Sequence, residues 1–396
     1  MKLETGGFVI DDEFPCSSAG EMRTLAPGLV EVSFQPETIP QWFQDLLDDL
    51  FGGKGVPKEY MAHVRVRNAS GEPRRITLRF LLSPKGAGYT YPPWWLWRED
   101  RGWAWLPPED TDYRTRESLD ATLELQPGES VRIASAPYEE PDAVIEKMQR
   151  LAERYDMWTY REIGSTAQGR PLAVLETAPR DIKLLVDSTM QSSEVVSWGI
   201  MHVAHWLTIP TSRARQLLEK IQFAIMPMMN PDGVYVGHSV TNAVGEVPKF
   251  GINNLVEGKE APKETEALWN YLLEMKPDAL IEVHAHFTRD DFTRSVVMHD
   301  KASMPEHLQA KAGIIEQAIF ENFHAPPLDN RKVLIDPRLP EHDVYGDRYV
   351  IERAGTIRTS VQAVPDSIES QCADVREMVE TVARALIHWK DAPNQE

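Results

Sequence analysis

The feature that most constrains this chain is a change in the spacing of its apolar residues near Pro137. Before that point, short segments such as MAHVRVRN, RRITLRFLL and SVRIASA alternate apolar and polar residues, which is typical of half-buried strands. After it, buried strands alternate with segments that have helical spacing. Because a chain of 396 residues is long for one core, we predict two domains, residues 1–137 and residues 138–396.

The two domains should differ in class. Turn material such as ASGEP and QPGES separates the amino-terminal strands, so we predict a small antiparallel β-sandwich, interrupted by one helix in IPQWFQDLLDDLFG. In the second domain, strands such as IKLLVDSTM and DALIEVHAHF alternate with helices such as KETEALWNYLLEMK. This order predicts an α/β domain with a mostly parallel or mixed sheet flanked by helices, and a ligand site at the carboxyl ends of its strands.

Charge and cysteine content exclude some classes of partner. The formal net charge of −19, from 61 acidic and 42 basic side chains, repels nucleic acid and anionic membrane surfaces, so we expect neither as a partner. No apolar stretch of 18 residues occurs. Cys16 and Cys372 are too few for a disulfide framework. Together with a beginning that has no signal-peptide pattern, these features lead us to expect a cytoplasmic protein.

Five tryptophans surround a polar turn in PPWWLWREDRGWAWLPP, namely Trp94, Trp95, Trp97, Trp103 and Trp105. The spacing predicts a hairpin with aromatic cross-strand pairs. A stacking platform for a sugar or peptide is the functional interpretation, and packing between strands or domains is the favoured one.

Five segments of the second domain occur in a specific order. They are REIGSTAQGRPLAVLE, QSSE, IMPMMNPDGV, LIEVHAHF and TIRTSVQAVPD. Their order and spacing resemble the funnelin-type zinc carboxypeptidases over roughly residues 140 to 390. With the β region ahead of them, they look most like the cytosolic carboxypeptidase branch, whose members trim glutamate and other residues from protein C-termini.

The resemblance implies a zinc ion held by two imidazoles and a carboxylate, with an open position for water. Glu194, expected on the first helical turn, matches the carboxylate, and His284 at the end of a strand matches one imidazole. Gln191 stands where the resemblance expects the other imidazole. His286 points the same way as His284 if the strand continues, so it is a candidate substitute ligand.

The resemblance also implies a carboxylate that takes a proton from the bound water, and Gln362 stands at that position. A carboxamide has no basic lone pair near neutral pH, so it cannot act as a general base. The tyrosine that closes over substrate in many members corresponds to Tyr345 or Tyr349.

Arginines that bind the terminal carboxylate of the substrate are expected after NPDG. Val240 matches the first of them. The Asn and Arg pair matches Asn253 and Asn254 if a short insertion is allowed, or Lys249 and Phe250 without one. In either alignment this segment provides no guanidinium.

Three hypotheses follow from these departures. The favoured one is a carboxypeptidase-like protein with a degenerate zinc site, holding zinc weakly or not at all, that binds a peptide or protein C-terminus or a small molecule. The second is an active metal-dependent carboxypeptidase or amidohydrolase with rearranged ligands, such as Glu194, His284 and His286. The third is a zinc-independent enzyme that reuses the cleft.

Overall fold

The protein is described by a computed structural model. It covers residues 1–35, 37–50, 61–81, 94–106, 108–115, 118–285, 294–322, 331–336, 346–363 and 367–392. Side chains are described for most of these residues, but not for Gln362, for which only the backbone is described.

The amino-terminal region forms two facing sheets from alternating sequences. One sheet has the order β1-β2-β5-β11-β7-β8 and the other has the order β3-β4-β6-β10-β9. The strands are β1 Lys2–Thr5, β2 Phe8–Asp11, β3 Met22–Ala26, β4 Leu29–Val32, β5 His63–Asn68, β6 Arg74–Leu81, β7 Trp95–Arg98, β8 Gly102–Trp105, β9 Thr111–Thr115, β10 Ser118–Leu125 and β11 Ser130–Ala134. The helix α1, Gln41–Leu50, interrupts them as predicted.

The predicted amino-terminal antiparallel sheet domain is confirmed, with one local difference. β4 pairs with β6 in parallel, whereas the other described pairs of these two sheets are antiparallel. The alternation explains the core, because inward residues such as Val64, Val66, Leu78 and Phe80 are fully buried between the sheets.

The tryptophan hairpin forms as β7 and β8, with Trp95 opposite Trp105 and Trp97 opposite Trp103. Trp94, just before β7, stacks on Phe80 with ring centroids 4.1 Å apart. These contacts favour packing as the role of most of the hairpin, since Trp94 and Trp95 are buried and only Trp105 is exposed.

The second region is built on one eight-stranded mixed sheet with the order β12-β13-β15-β14-β16-β19-β17-β18. Its strands are β12 Thr159–Ser165, β13 Pro171–Glu176, β14 Ile182–Ser188, β15 Ile221–Met226, β16 Ala279–Ala285, β17 Arg294–His299, β18 Arg331–Asp336 and β19 Ile357–Ala363. β15, β14, β16 and β19 are parallel neighbours, so their carboxyl ends meet at one edge. This confirms the predicted mixed sheet.

Helices cover both faces of this sheet. They are α2 Pro141–Arg154, α3 Ser197–Thr208, α4 Ser212–Lys220, α5 Pro231–Tyr235, α6 Ile252–Val256, α7 Lys263–Met275, α8 Glu306–Asn322, α9 Asp347–Ala354 and α10 Ile368–Asp391. α3 and α10 pack together on one face, and α7 lies in the apolar cluster of the other. Within the described part of the chain, none of the helices is long and apolar enough to cross a membrane.

Direct hydrogen bonds join the two regions. The backbone N–H of Cys16 donates to the carbonyl oxygen of Tyr235 at 2.9 Å, and the indole N–H of Trp103 donates to the carbonyl oxygen of Tyr138 at 2.9 Å. Gly237 has a positive φ of +70°, and a Cβ there would lie 2.2 Å from the carbonyl oxygen of Ser17. Only glycine fits this close approach.

Candidate functional site

The carboxyl ends of β14, β16 and β19 bring the predicted site residues to one edge of the sheet. The chain leaves β14 at Ser188 and turns through Gln191 and Glu194. His284 lies near the end of β16, and its register partner on β19 is Gln362. The sheet therefore places the backbone of Gln362 next to His284, as the resemblance predicts.

Glu194 and His284 contact each other directly. Nδ1 of His284 lies 2.5 Å from Oε2 of Glu194, and the two residues are only 2% and 4% exposed, respectively. The sequence predicted Glu194 on the first helical turn. This prediction is wrong, because α3 begins at Ser197. The position of Glu194 is set by a tight turn, in which its N–H donates to the carbonyl oxygen of Gln191 at 3.0 Å.

The side chain of Gln191 is half-buried at this turn and forms no hydrogen bond with the other described residues. Among the described residues, the amide of Gln191 therefore does not compensate the charge of the Glu194 carboxylate.

A lysine occupies this polar cluster. Nζ of Lys249 lies 2.8 Å from Nε2 and 3.4 Å from Nδ1 of His284. It is also 3.1 Å from Oε1 of Glu282, and its side chain is only 9% exposed. Nδ1 of His284 thus faces the Glu194 carboxylate, while Nε2 faces both the Lys249 amine and Oε1 of Glu282.

Further charged groups continue the cluster below His284. Oε1 of Glu282 lies 2.6 Å from Nε2 of His284, and the other oxygen of Glu282 pairs with Arg358. Arg358 also pairs with Asp347, which in turn accepts from Nε2 of His299 at 2.8 Å. Oppositely charged side chains thus alternate along a buried path from β16 to the start of α9.

Burial changes the pKa values in this cluster. Loss of solvation, and then the nearby positive charge of Arg358, lower the pKa of Lys249 to about 7 against the opposing charges of Glu194 and Asp187. Loss of solvation, followed by the charge of Lys249, lowers the pKa of His284. Burial raises the pKa of Asp187 to about 6 against the attraction of Arg358. Burial thus favours the neutral form of the His284 imidazole, against the opposing charges of Glu194 and Asp187.

The predicted substrate-binding positions lie beside this cluster but differ from an arginine pocket. Val240 is buried in an apolar cluster with Ile39, Phe43, Val247 and Phe250. Asn253 and Asn254 lie half-buried on α6, just after Lys249. They remain predicted ligand-binding residues.

Three predictions concern residues that are not described or that pack elsewhere. His286 and Tyr345 lie outside the described residues. Tyr349, the alternative to Tyr345, lies on α9, where it packs at the edge of an apolar cluster, and the Arg353 guanidinium lies 5.4 Å from its ring centroid.

A zinc site requires three protein donors around an open position. Across the described ranges, no group of three or more His, Cys, Asp and Glu side chains is arranged to hold a metal. Glu194 and His284 are the two matching donors, and they face each other at hydrogen-bond distance while an ammonium contacts the imidazole. These described residues do not fit a three-ligand zinc site, so we derive no step through a metal.

Some members of the cluster could have been identified from the sequence. In LIEVHAH, the period of two places Glu282 on the same face as His284, and in IRTSVQ it places Arg358 on the same face as Gln362. Asp187 is opposite Glu282 on β14. Lys249 gave no such signal, because it comes from a loop whose path depends on tertiary contacts.

Comparison with known proteins agrees with this architecture. Residues 144–270 match the model of the zinc carboxypeptidase family, peptidase M14. No curated protein matches the sequence.

Several solved structures share the fold. A metallo-carboxypeptidase from Burkholderia cenocepacia has a TM-score of 0.76 at 15% identity, covering 96% of this chain and 99% of that one. A metallo-carboxypeptidase from Pseudomonas aeruginosa, in complex with (2-guanidinoethylmercapto)succinic acid, has a TM-score of 0.73 at 14% identity, with coverage of 96% and 99%. A putative carboxypeptidase A from Shewanella denitrificans OS-217 has a TM-score of 0.71 at 17% identity, with coverage of 96% and 98%.

At these identities the likeness defines the fold. The chain has a metallo-carboxypeptidase fold, and its part from residue 144 to residue 270 carries the sequence signature of the zinc carboxypeptidases. The coverage of 96% means that the similar structures include a counterpart of the amino-terminal sheets as well. Fold alone does not determine the reaction, which depends on the side chains around His284.

Proposed function

We propose that this protein is a carboxypeptidase-like binding protein whose cleft takes up a ligand without zinc-dependent hydrolysis. The observation that carries this proposal is the 2.5 Å contact between Nδ1 of His284 and Oε2 of Glu194. In this arrangement the two donors that match the family motif satisfy each other. Zinc is accordingly expected to bind weakly or not at all.

The identity of the neighbouring residues supports the same conclusion. Gln191 replaces an imidazole, and the carboxamide of Gln362 cannot take a proton from water. Loss of a general base lowers a rate by about two to four orders of magnitude. Together with the missing ligand, this predicts no ordinary metallocarboxypeptidase turnover.

The ligand that we propose is a peptide or protein C-terminus, or a small molecule of similar size, bound in the cytoplasm. The resemblance to the cytosolic branch motivates this choice. Val240 stands where the resemblance expects an arginine, so a ligand that depends on a bidentate carboxylate clamp is disfavoured.

Two measurements test the proposal together. Elemental analysis of protein purified without added metal should report less than about a tenth of an equivalent of zinc, since intact sites hold zinc tightly. A panel of peptides with varied C-terminal residues should bind in calorimetry and remain uncleaved by mass spectrometry. Turnover that a chelator abolishes would establish the metal hydrolase instead.

Turnover that survives chelation would establish the third hypothesis, an enzyme that works without zinc. Gln362→Ala then separates a role of this residue in the chemistry from a role in packing. A loss of turnover with unchanged thermal stability would assign Gln362 to the reaction.

A further inference from the structure

Negative charge is concentrated where the strands end. Glu194 and Glu282 are 4% and 3% exposed, and Asp187, on the neighbouring strand, is 1% exposed. Both oxygens of Asp187 are without a hydrogen-bond partner among the described residues. Because buried carboxylates are costly unless a cation or hydrogen bonds compensate them, this edge of the sheet requires positive charge.

In its protonated form, Lys249 provides that charge at the top of the cluster. Its ammonium contacts His284 and Glu282, and the charges of Glu194 and Asp187 act on it as well. Arg358 provides the second charge, on the far side of Glu282. The lysine therefore interacts with both residues that match the zinc motif.

The backbone that carries Lys249 is fixed by its neighbours. Lys249 lies in the short turn Pro248–Phe250, whose first carbonyl accepts a hydrogen bond from the hydroxyl of Thr265 at 2.6 Å. The ring of Phe250 packs on Phe43, with centroids 4.8 Å apart. A Cβ on Gly251 would lie 2.6 Å from the Thr265 hydroxyl, so the chain passes closely over α7. The position of the lysine is thus part of the packed structure.

We propose that Lys249 is the resident cation of this cleft, which takes the place of a metal ion in compensating Glu194 and Glu282 and excludes zinc from His284. The inference rests on the proposed function in one respect, namely that the wild-type cleft works without zinc. It adds that the missing imidazole is not the only obstacle to metal binding.

The reason for exclusion is both steric and electrostatic. A zinc ion lies about 2.1 Å from an imidazole nitrogen. The ammonium is 2.8 Å from one ring nitrogen of His284 and 3.4 Å from the other, so an ion on either nitrogen would lie close to a like charge. The single substitution Gln191→His, which adds the imidazole, should therefore not restore the metal site.

The test is a cycle of four proteins: wild type, Gln191→His, Lys249→Ala and the double variant. Each is treated with a chelator, dialysed against dilute zinc chloride, and titrated with zinc in competition with a chromophoric chelator. We expect the double variant to hold about one equivalent of zinc, at least about 100-fold more tightly than Gln191→His. Wild type should hold none under the same conditions.

Matched controls separate the position of Lys249 from its charge. Lys259→Ala in the Gln191→His background removes an exposed lysine that pairs with Glu257, and should leave zinc binding unchanged. In the Gln191→His background, Lys249→Arg keeps a cation at this position and should also exclude zinc. Thermal melting with and without zinc shows whether each variant is folded, and zinc should raise the melting temperature of the double variant only.

The inference is overturned if Gln191→His, with Lys249 in place, binds zinc within about threefold of the double variant. It is also overturned if the folded double variant binds no zinc. If Lys249→Ala fails to fold, Gln191→His still tests the idea, because about one equivalent of zinc held by this variant against the competing chelator would overturn it. Peptide cleavage by the wild type would refute the proposed function separately, whatever the zinc titrations show.

Discussion

The carboxylate of Glu37 accepts hydrogen bonds from both the backbone N–H and the hydroxyl of Thr241, at 2.6 and 2.7 Å. The N–H groups of Ser239 and Val240 donate to the same carboxylate, at 2.8 and 3.1 Å. Glu37, which lies between β4 and α1, thus determines the path of the loop that leads to Lys249.

Removal of this carboxylate should destabilise the protein. Glu37→Ala leaves three buried N–H groups without their acceptor, so we expect a loss of about 3 kcal/mol in the free energy of unfolding, measured by urea denaturation. The control is Glu72→Ala, which removes an exposed carboxylate that pairs with Arg74. A Glu37→Ala protein as stable as this control would contradict the prediction.

Arg358 should also contribute strongly to the free energy of unfolding, because it carries a buried positive charge. It pairs with Glu282 and Asp347, both buried, so Arg358→Met removes the guanidinium that the two carboxylates share. We expect a loss of about 3–5 kcal/mol in urea denaturation. Arg348→Met, which removes an exposed partner of Glu352, should change stability by less than about 0.5 kcal/mol. An equal effect of the two substitutions would refute this assignment.

The stability of the protein should depend on pH through His63. This imidazole is stacked on Tyr138, with centroids 4.7 Å apart, and bonds the Cys16 carbonyl oxygen at 2.7 Å. Burial lowers the pKa of His63 to about 3, from an ordinary value of 6.5. The unfolded chain therefore takes up the proton first, so this stabilisation is complete above pH 6.5 and is lost as pH falls toward 3.

His63→Phe removes this titration and keeps an aromatic ring. Unfolding free energies measured at several pH values should fall more steeply for the wild type than for the variant, by up to about 1.4 kcal/mol per pH unit below pH 6.5. The difference between the two pH profiles is due to His63, because the carboxylates titrate in both proteins. Parallel pH profiles would show that His63 is not held neutral in the folded state.

Substitutions in the tryptophan hairpin distinguish a role in packing from a role in ligand binding. Trp94 is 2% exposed, whereas Trp105 is 38% exposed. Trp94→Ala should cost about 3–5 kcal/mol in the free energy of unfolding because it leaves a cavity against Phe80, and Trp105→Ala should cost much less. If Trp105→Ala instead abolishes peptide binding in calorimetry with unchanged stability, the hairpin is a binding surface.

The sequence predicts much of the sheet and part of the site, and the reason is periodicity. The strand assignments place His284 and Gln362 at the carboxyl ends of their strands, whereas their pairing depends on the order and register of β16 and β19, which the sequence does not specify. Short elements with less regular patterns, such as α6 and β18, were not predicted. In α6 the geometry depends on neighbours such as α7 rather than on a repeating pattern.

Lys249 illustrates what the sequence alone does not determine. In the linear sequence it is one cation in GEVPKFG, and its obvious interpretation was an imperfect match to a substrate-binding pair. Its contact with His284 arises because Glu37, Phe43 and Thr265 fix the loop from both sides. The contacts of Glu37 and Phe43 join residues about 200 positions apart, which local patterns do not encode.

The packing of Phe43 on Phe250 has a consequence for how this protein can be divided or redesigned. The turn that bears the lysine packs on a residue from a different part of the chain than the strands next to it, so excising the α/β half would expose Phe250 and Val240 to water and release this turn. Transplanting the cleft into another scaffold therefore means moving residues 37–43 along with it.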